Sequence, residues 1–218
     1  MPITIDFHTH TDVSKDSLTP PRSLVDAARR KRLDRVVVTD HNTIAGALVA
    51  HALAPDLIIV GEEIKTTLGE ILAAFVTEEI PRGLTPQETI RRLRDQGAFI
   101  SVSHPFDIRS GAWKLEDLLE IALLVDAIEV FNARIMKPDA NILAMEFARQ
   151  HNLPGTVGSD AHAAFELGVA RLEVPRFESA DGLRQVIRLG QVRGRVSPFW
   201  VHIVSSYARW RKMTVSAK

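Results

Sequence analysis

Residues 3–10 read Ile3-Thr-Ile-Asp6-Phe-His8-Thr-His10, a short apolar alternation that runs straight into two histidines. Period-two alternation of β-branched residues reads as a strand, and on extended backbone His8 and His10 face the same side. The arrangement recurs. Arg35–Thr39 leads into Asp40 and His41, Leu57–Gly61 into Glu62 and Glu63, Phe99–Ser103 into His104, and Thr156–Ser159 into Asp160 and His162. Ile71–Val76 and Ala127–Phe131, which contains Glu129, complete seven candidate strands. Amphipathic stretches lie between them. Thr19-Pro20 is expected to cap a helix over Pro21–Lys31, and Thr85-Pro86-Gln87-Glu88 to open another with a capping box. Leu115–Leu124, Asp139–Gln150 and Ser179–Leu189 are the remaining helices. Alternating strands and helices argue for an α/β fold around a largely parallel sheet or barrel. In such a barrel the strand C-termini open onto one face, where active sites are built, so five of the eight histidines are expected to converge there.

Length and composition agree with one globular domain over residues 1–218. Hydrophobic residues make up 45% and charged residues 25%, and Gly plus Pro number only 23 of 218, which argues against disorder. Lys+Arg and Asp+Glu balance at 27 each, so the chain lacks the basic field of a protein that lives on duplex DNA or an anionic membrane. With no cysteine, disulfides, thiolate metal sites and a Cys nucleophile are excluded. Asp6, His8 and His10 interrupt the N-terminus before a signal peptide could form, and apolar stretches such as Ile121–Val125 stop well short of a membrane span. A cytoplasmic, soluble protein is expected, without a membrane or nucleic-acid partner.

Five histidines and several carboxylates, with no thiol, suit divalent Mn, Zn or Fe. About eight ligands exceed the needs of one ion, which implies two or three cations per chain with a carboxylate such as Glu63 shared between them. Sites of this kind acidify water and neutralise charge on a phosphoryl group. Structural readings compete for single residues: Asp40 or Asp160 as helix caps, Glu63 as a solvated side chain, His104 before Pro105 as a turn residue. No G-x-S-x-G, P-loop or G-x-G-x-x-G is present, so serine hydrolases, NTPases and dinucleotide enzymes have no support.

Five ordered motifs carry a resemblance. They are Asp6-Phe-His8-Thr-His10-Thr-x-x-Ser14-x-Asp16-Ser17, Thr39-Asp40-His41-Asn42, Gly61-Glu-Glu63-Ile64, Ser103-His104-Pro105 and Gly158-Ser-Asp160-Ala-His162. Together they resemble the polymerase and histidinol phosphatase (PHP) family of metal-dependent phosphoesterases across residues 3 to about 175. The resemblance implies a distorted (β/α)7, TIM-like barrel with a trinuclear centre at its strand C-termini. Carried over by motif, His8, His10, Glu63 and Asp160 hold the first metal, Glu63 and His104 the second, and Asp16, His41 and His162 the third. Glu63, Asp160 and His162 are the residues expected to serve the chemistry. One family ligand varies in type and falls near the sixth strand, where Glu129 or Asn132 could fill it. Glu70 stands where many relatives have a His after Gly.

The expected activity is hydrolysis of a small phosphorylated molecule, a nucleotide or metabolite monoester, with phosphate or sulfate also binding at the metals. Arg134, Asn132, Glu129 and Lys65 are the expected substrate contacts, with Arg82 and Arg109 nearby; an arginine fork matches phosphate geometry best, which favours Arg134. A nuclease, an amidohydrolase and a non-catalytic metal-binding module are the rivals. Phe199, Trp200, Ile203, Val204, Tyr207 and Trp210 recur at helical spacing beside Arg209, Arg211 and Lys212. Residues 197–218 therefore read as an amphipathic C-terminal helical extension docked on the barrel or on a second subunit. The oligomeric state is left open. His51, His151 and His202 read as structural or surface residues.

Overall fold

The computed structural model describes residues 2–108, 112–137 and 139–216, with the side chains of 215 and 216 excluded. Arg109 lies outside the described residues. All seven expected strands form: β1 (Pro2–Asp6), β2 (Arg35–Val38), β3 (Ile58–Lys65), β4 (Glu70–Ala74), β5 (Phe99–Val102), β6 (Ala127–Asn132) and β7 (Gly155–Gly158). Two more, β8 (Ala170–Pro175) and β9 (Gln191–Gly194), extend the sheet, whose order is β7-β6-β5-β4-β3-β2-β1-β8-β9. The backbone N–H of Phe7, just past β1, donates to Val157 O of β7 at 3.1 Å, so the sheet curls into a nearly closed barrel.

The barrel departs from a fully parallel one in two places. β4 runs antiparallel to both β3 and β5, and β8 runs antiparallel to β1 and β9. The first departure follows from the four residues Thr66–Gly69 that join β3 to β4, too few for a crossover helix, so the chain must turn back as a hairpin. It has a consequence for the site. Glu70, the first residue of β4, pairs with Lys65, the last residue of β3, and so lies at the end of the barrel where the parallel strands finish.

Among the described residues seven α-helices accompany the strands: α1 (Pro21–Arg30), α2 (Ala45–Leu53), α3 (Pro86–Asp95), α4 (Leu115–Ile121), α5 (Asp139–Gln150), α6 (Ala180–Val186) and α7 (Val201–Ser216). The Thr85 side chain caps α3 by accepting from Glu88 N at 3.2 Å, as its sequence predicts. At α1 the cap is Pro20 and makes no side-chain bond; the Thr19 hydroxyl instead donates to His162 O at 3.3 Å and pins the site loop. Helix α2 has no sequence cap and carries Gly46 in its first turn. A Cβ at Gly46 would stand 2.2 Å from Asp40 Oδ2 and Thr11 Oγ1, so only glycine lets this helix approach the polar network beneath it.

Packing follows strand alternation. Ile3, Ile5 and Phe7 belong to one buried cluster with Val37, Phe99, Ile128 and Leu172, while Val36 and Val38 belong to another with Leu24, Ala28 and Ala47 of α1 and α2. Strands covered on both faces need apolar residues at successive positions, which explains the Val-Val-Val run of β2. Against that background Glu62 is an anomaly. It is buried on β3, with Oε2 accepting from Ile80 N at 3.0 Å and Oε1 without a partner.

Burial pushes the Glu62 carboxyl up to about 8, against 4.5 for an ordinary glutamate. The folded chain therefore keeps a proton that the unfolded chain loses near pH 4.5, and this group's support for the fold is full below that pH and lost as pH rises through 8. Glu62→Gln, which cannot ionise, should melt close to wild type at pH 4.5 and about 5 °C above it at pH 8. Thermal unfolding of both proteins across that range checks the trend; parallel curves would refute it.

Candidate metal centre

The segment after β1 is held between two neighbours, which sets the direction of its histidines. Thr9 bridges to Ala161, His10 N donates to Ala161 O at 2.9 Å, and Thr39 N donates to Thr9 O at 2.8 Å. His8 and His10 consequently project into the barrel mouth with ring centroids 5.0 Å apart. The end of β7 must come close for this to happen: a Cβ on Gly158 would lie 2.3 Å from His8 Cβ.

Each of these imidazoles is oriented through Nδ1. His8 Nδ1 donates to Glu129 Oε1 at 3.0 Å. Ser14 Oγ gives its single hydrogen to Asp40 Oδ1 at 2.6 Å and so accepts from His10 Nδ1 at 3.2 Å. His162 Nδ1 donates to Asp160 O at 2.8 Å. Such bonds fix the tautomer that leaves Nε2 bare for a cation. His8 Nε2 then stands 3.4 Å from Glu63 Oε2 and 3.6 Å from Asp160 Oδ1, and His10 Nε2 3.2 Å from Asp160 Oδ1.

Glu63 is the hub. Its Oε2 is 2.8 Å from His41 Nδ1 and its Oε1 is 3.1 Å from His104 Nε2, while Ser103 Oγ donates to Oε1 at 2.9 Å. On the far side Asp16 Oδ1 lies 3.4 Å from both His41 Nε2 and His162 Nε2. The structure therefore brings together all eight residues expected as ligands: His8, His10, Asp16, His41, Glu63, His104, Asp160 and His162.

Do these residues suit cations? Among the described residues, His8 Nε2, His10 Nε2, Asp16 Oδ1 and Glu63 Oε2 are buried atoms with no hydrogen-bond partner. Orphaned polar atoms of this kind are costly inside a protein unless an ion takes them. Three overlapping sets, His8/His10/Glu63, His10/His41/His162 and His41/Glu63/Glu70, each place their ligand atoms within 4.8 Å of one another. The donors are imidazole and carboxylate, the chemistry of borderline divalent ions, so the residues fit the group.

The electrostatics are those of a site built for positive charge. Burial raises carboxyl pKa values, yet the imidazoles around them outweigh it and hold Glu63, Asp160 and Asp16 well below the carboxylate range. Burial lowers imidazole values, and where Glu63 and its neighbours outweigh it His8 and His41 are raised well above normal and His104 to about 9. His10 is the exception. Burial together with His162 and His41 pushes it down to about 3, so it is neutral and ready to donate a lone pair.

Beyond the ligands lies a cavity of about 580 Å³, lined by Lys15, Lys65, Arg82, Arg134 and Arg209 among others. Arg134 is buried; its guanidinium bonds Glu166, Ser205 Oγ at 2.8 Å and Val201 O. Glu129 and Asn132 stand behind the ligands. Glu129 accepts from His8 and from His104 N at 2.8 Å, and Asn132 Nδ2 donates to Glu129 Oε2 at 3.2 Å and Asp160 Oδ2 at 3.3 Å. Asp40 caps no helix; it accepts from Thr11 and Ser14 and shapes the loop that carries Asp16.

Three residues enter the site that sequence reading did not place there. Glu70 lies 3.5 Å from His104 Nε2 because β4 is reversed, a turn that the short Thr66–Gly69 link signals. His202, read as structural or surface, lines the cavity, and Arg209 Nη2 reaches Asp16 Oδ2 at 3.2 Å. Both come from α7, and no local pattern reveals where that helix docks.

Comparison with known proteins agrees with this geometry. Residues 6–87 match the PHP domain and residues 138–192 the PHP-associated family. An uncharacterised protein of Methanocaldococcus jannaschii is 37% identical over 173 residues, covering 78% of this chain and 69% of that protein. A Bacteroides vulgatus two-domain protein described as containing a predicted PHP-like metal-dependent phosphoesterase superposes with a TM-score of 0.74 at 20% identity, over 95% of this chain and 70% of its own. The lesion-specific endonuclease Q of Pyrococcus furiosus superposes at 0.61 with 15% identity, over 88% and 58%. At those identities the structures attest the fold alone. The matched sequence, the barrel and the histidine–carboxylate cluster at its mouth together place this chain in the PHP family, whose members include metal-dependent phosphoesterases.

Proposed function

We propose that the protein hydrolyses phosphate monoesters of small molecules, using two or three divalent cations held by His8, His10, Asp16, His41, Glu63, His104, Asp160 and His162. The observation that carries this reading is the set of four orphaned buried atoms, all on these residues: Asp16 and Glu63 line one cavity, and His8 and His10 lie against Glu63. When bound, divalent ions of Mn, Zn or Fe type acidify water and neutralise charge on a phosphoryl group. The chain's own residues do the rest. Asp160, the carboxylate with 15% side-chain exposure beside nearly sealed Glu63, is placed to orient an attacking water. The water oxygen bonds phosphorus as the P–O bond to the alcohol breaks, and the water's proton ends on the leaving oxygen, giving alcohol and inorganic phosphate.

Positive side chains select the substrate. Lys65 and Arg82 share one rim, since Gly83 N donates to Lys65 O at 2.7 Å and ties their segments together. Arg134, already bonded to Glu166, adds charge to the cavity wall, and Glu129 and Asn132 act by holding His8, His104 and Asp160 in place. Residues of α7 wall one side of the cavity, which supports a small substrate over a nucleic-acid strand.

Purified protein loaded with Mn²⁺ should release phosphate from an aryl phosphate, and His10→Ala or Asp160→Asn should lower kcat by about a thousandfold. Full metal occupancy without turnover of any phosphate ester would overturn the reading. An oligonucleotide that competes with the aryl phosphate at micromolar concentration would move the substrate assignment to nucleic acid.

Coordination must also displace the protons held on His8, His41 and His104, because only neutral imidazole binds a metal. Titration with Zn²⁺ near pH 7 should release more than one proton per chain, the release falling as pH rises through about 9, where His104 ionises unaided. Apparent affinity rises over the same range. Calorimetry in two buffers of different ionisation enthalpy measures the release, and His104→Gln should reduce it.

A further inference from the structure

Helix α7 packs on the barrel through Val201, Ser205 and Ala208, all buried, and shows the cavity His202, Ser206 and Arg209. Its outward face, where a helix on a globular protein is normally polar, is apolar instead. Phe199, Trp200, Ile203, Tyr207, Trp210 and Met213 are each 49–69% exposed. Phe165, also exposed, extends the patch through a ring contact of 5.3 Å with Trp200. Clustered aromatics with Met and Arg, and no Asp or Glu, have the composition of an interface core.

What covers the face is argued from charge. Residues 182–218 carry eight Lys or Arg and no Asp or Glu, whereas residues 1–181 carry all 27 acidic residues against 19 basic ones. The whole chain is neutral, so an anionic bilayer or nucleic acid gains no net attraction from it. Two basic residues of α7 are also committed beneath the helix: Arg209 to Asp16, and Lys212 to the carbonyls of Asp12 and Ser14. Arg211 remains exposed on α7, and one such charge gives weak anchoring to lipid, about 1 kcal/mol. A second copy of this chain answers both features. A two-fold axis sets the apolar stripe against itself and brings the exposed Arg195 and Arg211 of each copy towards the acidic body of the other.

We infer that the outward face of α7 is the contact of a symmetric homodimer. The contact holds α7 over the cavity from outside, while Ser205 and Arg209 hold it from inside through Arg134 and Asp16.

Sedimentation at about 10 µM chain should give twice the 24.2 kDa of one chain for wild type. The double variant Ile203→Glu/Trp210→Glu should sediment as single chains that keep the wild-type circular dichroism spectrum, since both side chains are about 60% exposed. The chain has no cysteine, so Ile203→Cys supplies one thiol per copy. It should cross-link at least about tenfold faster than Leu123→Cys, whose position is exposed elsewhere on the surface. A monomeric wild type, a dimer indifferent to the double variant, or equal cross-linking rates would overturn the inference. So would a monomer that floats with phosphatidylserine vesicles, which assigns the face to lipid.

Discussion

Glu63 is a carboxylate buried to 1% exposure, with four imidazoles from three separate segments converging on its two oxygens. In a low-dielectric interior a charge of this kind is tolerated only where opposite charge is fixed around it. Three strand ends supply that compensation: His8 and His10 follow β1, His41 follows β2 and His104 follows β5. Protons on the imidazoles can balance the carboxylates, but they leave His8 Nε2, His10 Nε2 and Glu63 Oε2 aimed at one another without bonds. Divalent cations satisfy the charge and the lone pairs together, so the same constraint that makes this floor costly to fold makes it a metal centre.

A ring of further carboxylates keeps that floor rigid. Asp6 receives Ser159 N and Ser159 Oγ, fixing the turn that presents Asp160, and Asp160 adopts a left-handed φ of +51° there. Asp40 gathers Thr11 and Ser14 and through Ser14 sets His10; Glu129 sets His8; Glu166 receives His162 N and clasps Arg134. Each acidic group touches a ligand or the backbone beside one. The outer groups act as positioning residues because their oxygens are already spent on hydrogen bonds, whereas those of Glu63 and Asp160 face the cavity.

Much of this was legible in the chain because strand ends are local events. The β-branched runs locate seven strands, six of them to within two residues, while β3 runs four residues past its expected end and takes in Glu62 and Glu63; His or carboxylate at strand ends fixes both direction and neighbourhood. β8 was missed although Ala170-Arg-Leu-Glu-Val174 alternates and buries every second residue, and β9 was not legible: it reads Gln-Val-Arg-Gly and is exposed throughout, so it carries no apolar alternation. Helix α2, Ala-Gly-Ala-Leu-Val-Ala-His-Ala-Leu, lacks a cap and a polar face, and its glycine is explained only by Asp40 lying beneath it. Glu70 was obscured because its role depends on the reversal of β4. The partner of Arg134 was hidden for a different reason. Glu166 lies 32 residues away in a segment with no regular structure, and nothing about either residue alone announces a buried pair.

Helix α7 shows how far a local pattern carries. Its apolar period was readable, but amphipathicity states only that one face seeks burial, and the natural assumption is that the apolar face is the one turned inward. Here the helix is held on the barrel largely by small and polar contacts: Ala208 and Ser205 pack, Lys212 caps two carbonyls, and Arg209 lies on Asp16. Among the described residues the barrel mouth beneath it is lined by polar and charged side chains such as Asp16, His41, Glu63 and Arg134. A face that polar does not also bury large hydrophobic side chains. The helix therefore has to present charge to the cavity and leave its aromatic face outward, where burial can come only from association.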